Sequence, residues 1–336
     1  MNGGETHMFR KLIFLLFLYI AYVFVSPIVQ SFNFDDGFNY NELENWAEEY
    51  LFRSYDMTSI EAVNSTQTQY VEYMLGQSLT QDGHDVVDSE YVGEFRVIQQ
   101  NDHFRMILVN DGVVTGGYTN SSNVAFDRIN IEGLYQSDIR EIYGEPETRV
   151  RRGMKRMNVS NDEYDVYDLG DRLVYFFYDV HLDYKTNGLL IFYKDEYTQF
   201  EDLYNHPSAF DNARMLFHLV NSTRQEYGYN ILQLDELAAN AALDHSKDMA
   251  AKGYFEHVSP EGVALKDRLL RNNVQFRFAG ENIAMGHTSA IFVHHSLLNS
   301  VDHRRNLLHP DFTHLGVGVS YNEESIPYYT ENYVQK

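Results

Sequence analysis

Cysteine is absent from this 336-residue chain. Disulfides, thiolate metal sites and lipid attachment through cysteine are therefore excluded. The absence does not place the chain inside a cell, because a large enough core stands without disulfides. Positive charge is scarce: 26 Lys and Arg against 49 Asp and Glu leave a net charge of −23. The deficit is uneven, with 15 basic against 32 acidic residues up to position 200 and 11 against 17 after it. So acidic a surface repels phosphate backbones, which argues against nucleic acid as a partner. Neither H-E-x-x-H nor G-x-S-x-G occurs, so neither common hydrolase scheme is spelled out.

What is present begins with an apolar run at residues 12–29, LIFLLFLYIAYVFVSPIV, without a charge. Its length suits one membrane span. Arg10 and Lys11 precede it, and Asp35 and Asp36 follow. The positive flank predicts a cytoplasmic N-terminus with everything after the span outside. Residues 1–32 are thus expected to be an uncleaved single-pass membrane anchor. The competing reading is a signal peptide of a secreted protein, although Val29-Gln30-Ser31 is not an Ala-x-Ala site. Residues 33–65 are acidic and polar and read as a linker.

Residues 66–200 read as a strand-rich α+β domain. Strands are expected at Tyr91 to Gln99, His103 to Asn110 and Val113 to Tyr118, with Asp111-Gly112 as a hairpin turn. A short helix over Ser137 to Tyr143, closed by Gly144 and Pro146, leads to strands at Arg172 to Tyr178 and Leu189 to Tyr193. Asn187-Gly188 is the second hairpin signal. A helix followed by antiparallel strands, twice, predicts an internal duplication. The basic stretch at 149–165 reads as a solvated loop.

Residues 208–336 read as a second domain, with helices first and strands last. Asp235 is a good N-cap. After it Leu237, Ala241, His245 and Met249 recur at the spacing of one helical face. Ser259-Pro260 is expected to start a helix running through Leu270, and Ser289 to Leu298 another. Leu315 to Tyr321 and Tyr328 to Val334 read as an antiparallel pair. The order favours α+β over a parallel βαβ array.

His257, Glu281 and His303 stand out, 24 and 22 residues apart, each in a setting of Gly, Pro, Ser or Asn that reads as a turn. Residues from separate turns that converge build a cleft. Two imidazoles and a carboxylate make a workable site for a divalent metal such as zinc, with His257 and His303 as ligands. They equally make a proton-carrying set near neutral pH, with Glu281 orienting a histidine. A structural role for Glu281, tying down backbone N–H groups of its turn, competes with both. Ser300 shares a helical face with His303 if that segment is helical. His245, on the apolar side of its helix, reads as a core or cleft-lining residue. His294 and His295 point to different sides of theirs, and Arg304 and Arg305 read as surface charges.

The ordered series GYFEH-SPEG, GENIA-G, NS-x2-HR-x-N and HLGVGV resembles the CAP superfamily in its bacterial form (cysteine-rich secretory proteins, antigen 5 and pathogenesis-related 1). That resemblance covers about residues 210–336 and implies an α-β-α sandwich with a central cleft. In the family the cleft often holds two His and two Glu, sometimes with a divalent metal. His257 and His303 take the two His positions, and Glu281 takes one Glu. Ser300 stands where many eukaryotic members have the second Glu, and Leu297 where Trp is common. Residues 66–200, with IYGEPE and VNDGVVTGGYTNSS, resemble the domain that often precedes CAP in Gram-positive bacteria. The incomplete carboxylate set favours an envelope-facing binding or scaffolding module, with a cell-wall, lipid or peptide ligand held by His257, Glu281, His303, Ser300 and His245. A metal-assisted hydrolase is the alternative. A third possibility makes residues 66–200 the working part.

Overall fold

The computed structural model describes residues 69–70, 75–79, 85–100, 103–122, 124–126, 129–198, 207–287 and 289–336. The expected anchor and acidic linker lie outside these. Among the described residues no helix is long and apolar enough to cross a membrane. All described residues fall within one compact unit.

Its first part is built on a seven-stranded antiparallel sheet. The strands are β1 (Asp85–Asp88), β2 (Glu94–Gln100), β3 (His103–Asn110) and β4 (Val113–Thr119). After helix α1 (Gln136–Tyr143) come a two-stranded hairpin, β5 (Arg149–Arg152) with β6 (Lys155–Asn158), and then β7 (Tyr164–Asp168), β8 (Arg172–Asp179) and β9 (Lys185–Tyr193). Spatial order is β7-β8-β9-β4-β3-β2-β1, so two meanders meet where β9 pairs with β4. Ile139 of α1 is fully buried in a cluster with Phe126, Val174, Phe176 and Ile191. The expected duplication is not confirmed: among the described residues only the second meander has a helix before its strands.

Two local expectations need correcting here. Asn187-Gly188 is not a turn but part of β9. The chain reverses earlier, through a 3-10 turn at Val180–Leu182 and positive φ at Asp183 and Tyr184. Gly188 is there for space, since a Cβ on it would meet His295 Nε2 at 2.9 Å. The basic stretch is not a loop: it holds the β5–β6 hairpin, and Arg152 is buried.

The second part is a three-layer sandwich. Helices α2 (Ala209–Glu226), α3 (Glu236–Lys252), α4 (Leu265–Arg271), α5 (Ala290–Asn299) and α6 (Val301–Leu307) surround a sheet of β10 (Phe278–Met285), β11 (His314–Tyr321) and β12 (Pro327–Gln335). A short strand at Gln233–Leu234 adds to β11, giving the order Gln233–Leu234, β11, β12, β10. Asp235 caps α3 as expected, accepting from Ala238 N at 3.1 Å. The next helix starts later than expected. Ser259 Oγ accepts from the Glu261 and Val263 backbone and Gly262 takes φ +82°, so α4 begins only at Leu265. Along β11 and β12 alternate residues face opposite layers. Gly316, Gly318, Thr330 and Asn332 meet α3. Tyr329 faces α2, where Asn212 donates to its hydroxyl at 3.1 Å.

The two parts share a polar seam. His295 of α5 stacks on Phe177 with centroids 4.0 Å apart, and its Nε2 lies 2.9 Å from the Tyr118 hydroxyl. His294, next to it, turns instead to Thr223 of α2 at 2.6 Å. Arg304 is not a surface charge: its Nη2 donates at 2.8 Å to Asp179, which is fully buried. Asp179 also accepts from the Tyr227 hydroxyl and from His181 N. Arg305, exposed, pairs with Asp302.

Candidate functional site

Glu281 is not in a turn. It lies in β10, the edge strand, paired with Asn332 of β12. Gly280 masks this strand in the sequence, and its smallness is required, because a Cβ there would meet Asn306 Oδ1 at 2.6 Å. Since successive strand residues point to opposite faces, Glu281 and Asn282 tie β10 to both helical layers at once.

On one face the Glu281 carboxylate, only 3% exposed, is held by two groups. His257 Nδ1, from the connection between α3 and α4, lies 2.9 Å from Oε1. Arg268 Nη2, from α4, donates to Oε2 at 2.6 Å. The same guanidinium donates to the carbonyls of His257 and Val263, fixing the connection that presents His257. The His257 ring remains 53% exposed. Its hydrogen bond to Glu281 raises its pKa, against the opposing effect of burial. His245 of α3 is buried 4.0 Å from Glu281 Oε1, with Nε2 on the Glu256 carbonyl. Desolvation lowers its pKa to about 4, so it stays neutral.

On the other face Asn282 Nδ2 donates to the His303 carbonyl at 3.1 Å. His303 is in helix α6, not a turn, and Ser300 is the N-cap residue of that helix. Ser300 Oγ lies 2.9 Å from His303 Nδ1 and makes no capping bond. Burial lowers the His303 pKa, and the charge of nearby His257 lowers it further. The two imidazoles therefore sit within electrostatic reach across the β10 edge, one favouring a proton and the other neutral. Of the residues singled out from sequence, His257 and His245 meet Glu281 on one face of β10, whereas His303, with Ser300 at its Nδ1, lies on the Asn282 side and feels His257 only through its charge.

The expectation of a zinc or other divalent metal on His257 and His303 is overturned. Among the described residues no group of three or more His, Asp or Glu can hold a metal ion. The cause is the hydrogen bonding of the donors. Glu281 spends its oxygens on His257 and Arg268. His245 Nε2 is on a carbonyl, and the Nδ1 atoms of His257 and His303 are engaged. Two imidazole nitrogens without a carboxylate fall short of the usual donor set. The metal-assisted hydrolase loses its premise with this.

Two residues of the site escaped sequence reading. Arg268 looks like any charge on a short amphipathic helix, and nothing in LKDRLL marks it as buried. Glu331 could have been found, since it alternates with Tyr329 and Tyr333 along β12 and so shares their inward face. It is fully buried, with Oε2 accepting from Asn282 Nδ2 at 3.0 Å and from the Tyr333 hydroxyl at 2.6 Å. Its Oε1 has no partner. Desolvation raises its pKa from 4.5 to about 7. The unfolded chain ionises this group first as pH rises, so its stabilising effect is present below pH 4.5 and lost up to pH 7. Glu331→Gln keeps an acceptor at Oε2 and removes the titration. It should stabilise the protein at pH 8 by on the order of 2–3 kcal/mol in urea unfolding, with little change at pH 4.5. A loss of stability at pH 8 would mean that the ionised carboxylate has a partner there.

The second part is thus a three-layer α-β-α sandwich with His257 and His245 gathered at Glu281 on its edge strand β10. Residues 217–333 match the family model described as "CAP: Cysteine-rich secretory protein family". This part of the chain thus matches the CAP/SCP (cysteine-rich secretory protein) domain. A 125-residue stretch is 40% identical to "Uncharacterized membrane protein YlbC" of Bacillus subtilis (strain 168), covering 37% of this chain and 35% of that protein. Over 123 residues it is 37% identical to "Uncharacterized protein YkwD" of the same organism, covering 37% and 47%. The matched region thus spans less than half of either relative. Among solved structures, an extracellular protein containing a SCP domain from Bacillus anthracis str. Ames is similar over 83% of this chain and 99% of that one, with TM-score 0.69 and 27% identity. A cysteine-rich secretory protein from Staphylococcus aureus subsp. aureus Mu50 shares the fold, with TM-score 0.63 at 15% identity over 80% and 93%.

Proposed function

We propose that this chain is an extracytoplasmic CAP-domain protein that binds, rather than chemically transforms, a ligand at the cell envelope. Residues 1–32 would anchor it in the membrane and 33–65 would act as linker. Residues 66–200 would be the CAP-associated domain and 208–336 the CAP domain. The membrane assignment of one relative's name and the extracellular description of the Bacillus anthracis protein support this placement.

The observation that carries the binding reading is the pairing of Glu281 with Arg268. A carboxylate held by a buried guanidinium is poorly placed to take a proton from substrate. What remains available is His257, half exposed and favouring its charged form, beside neutral His303. A protonated imidazole donates a charge-assisted hydrogen bond to a carboxylate or carbonyl oxygen, so a peptide with a free carboxylate fits best. Binding should be strongest at low pH and weaken as pH rises through the raised pKa of His257. The test is calorimetric titration of the full chain in micelles with D-Ala-D-Ala-terminated wall peptides at pH 6 and 8. Tighter binding at pH 6, abolished by His257→Ala, is expected. Equal affinity of His257→Ala and Glu281→Gln with the unaltered protein would show that the cleft is not the working site.

A further inference from the structure

The basic stretch of the first part, which the histidine cleft does not use, is carried on the β5–β6 hairpin. The strands pair Arg149 with Asn158, Val150 with Met157, Arg151 with Arg156 and Arg152 with Lys155. Gly153 and Met154 make the turn, with Gly153 at φ +57°. Directly paired residues share a face and successive ones alternate. One face therefore holds Val150, Met157 and Arg152, and Val150 and Arg152 are buried. Arg152 pins this face to the body. Its Nη2 donates to the Glu90 carbonyl at 3.3 Å, and its guanidinium lies over the rings of Tyr91 and Tyr197.

The opposite face holds Arg149, Arg151 and Arg156, all exposed, and Lys155 is exposed beside the turn. At the apex Met154 is 86% exposed, more than any other large apolar side chain among the described residues. Packing within the protein does not account for this arrangement. Arg151 and Arg156 stand directly opposite each other, and like charges so placed are destabilising.

We propose that this hairpin is a docking element for an anionic phospholipid surface, with Met154 entering below the headgroups and Arg149, Arg151 and Arg156 on the phosphates. A guanidinium fork binds phosphate oxygens bidentately, and each cation near an anionic leaflet favours contact about fivefold. An apolar apex is served only where hydrocarbon lies behind the phosphates, which selects a bilayer over a soluble polyanion. The net charge of −23 points the same way. It repels a long polymer that would wrap the body, whereas a flat surface is met by the tip alone and charges beyond about 8 Å are screened. The surface is separate from His257, Glu281 and His303.

The test exploits the absence of cysteine, which lets Met154→Cys carry a single apolar fluorophore. Full-chain protein labelled there is reconstituted into vesicles of phosphatidylcholine, alone or with about one-third phosphatidylglycerol, with a nitroxide quencher on the acyl chains. Quenching is expected in the anionic vesicles and not in the neutral ones. It should be reversed at ~1 M salt, where the screening length falls to about 3 Å. Arg151→Gln together with Arg156→Gln should lower the ratio of quenched to free label roughly 25-fold. The melting temperature of that variant should hold or rise, because two opposed cations are gone, so lost docking is not lost folding. Equal quenching in neutral and anionic vesicles would overturn the proposal, as would no quenching in either. Quenching unchanged by the double substitution would overturn it too. A response of the label to inorganic polyphosphate without lipid, with none to anionic vesicles, would assign the hairpin to a soluble polyanion and overturn it equally.

Discussion

Glu281→Ala is expected to lower folding stability by about 3–5 kcal/mol, the cost of removing one partner from a buried ion pair. The Arg268 side chain is 7% exposed and would keep only carbonyl acceptors for its charge. The effect should be local as well as global. Without the carboxylate His257 loses the hydrogen bond that raises its pKa, and its titration should move down towards the ordinary value. Urea unfolding measures the first effect and histidine NMR the second. Arg268→Met in the same chain should recover part of the lost stability, because a pair of apolar groups replaces an orphaned cation. A loss below ~1 kcal/mol, the range of an exposed pair, would mean that the carboxylate is solvated.

Gly318→Ala should be of comparable size. A Cβ at Gly318 would sit 2.0 Å from Leu243 N and 2.4 Å from Ala242 C, and one at Gly316 only 2.1 Å from Ala239 N. These are backbone atoms of α3, which cannot rotate away as a side chain can. Relief requires the whole helix to lift from β11. Overpacking of this kind costs 1–3 kcal/mol and occasionally more, and a clash with backbone belongs above ~3 kcal/mol. Helix α3 carries His245 and leads into the connection that presents His257, so His257 should also lose its contact with Glu281. Gly112→Ala is the control: with φ +77° and nothing within 4 Å, it should cost only about 1–2 kcal/mol for the left-handed backbone. Equal melting temperatures for Gly318→Ala and the unaltered chain would show that α3 does not rest on the sheet as described.

The contrast between these glycines bears on how far the site could be read in advance. HLGVGV, taken as a motif, marks the strand, but its glycines matter for close approach of a helix from elsewhere in the chain. Glu281 stands out in the sequence but reads as a turn residue, because Gly280 and Asn282 carry strong turn preferences that sheet pairing overrides. Asn187-Gly188 misled for the same reason: its glycine serves the approach of His295, 107 positions on, rather than a hairpin. Ser300 was placed correctly beside His303 by helical spacing, though at the cap rather than within the helix.

Features that act over a few residues were open to inspection in the chain alone. The Asp235 cap, the Ala241–His245–Met249 face of α3 (though not Leu237, which is exposed) and the pairing of the two closing strands all arise from neighbours in sequence. The folded molecule alone settled which charges are buried and with whom. Arg268 meets Glu281 across 13 positions and Arg304 meets Asp179 across 125. No local pattern signals such a pair, because leaving water is tolerable for either charge only once the other is already in place.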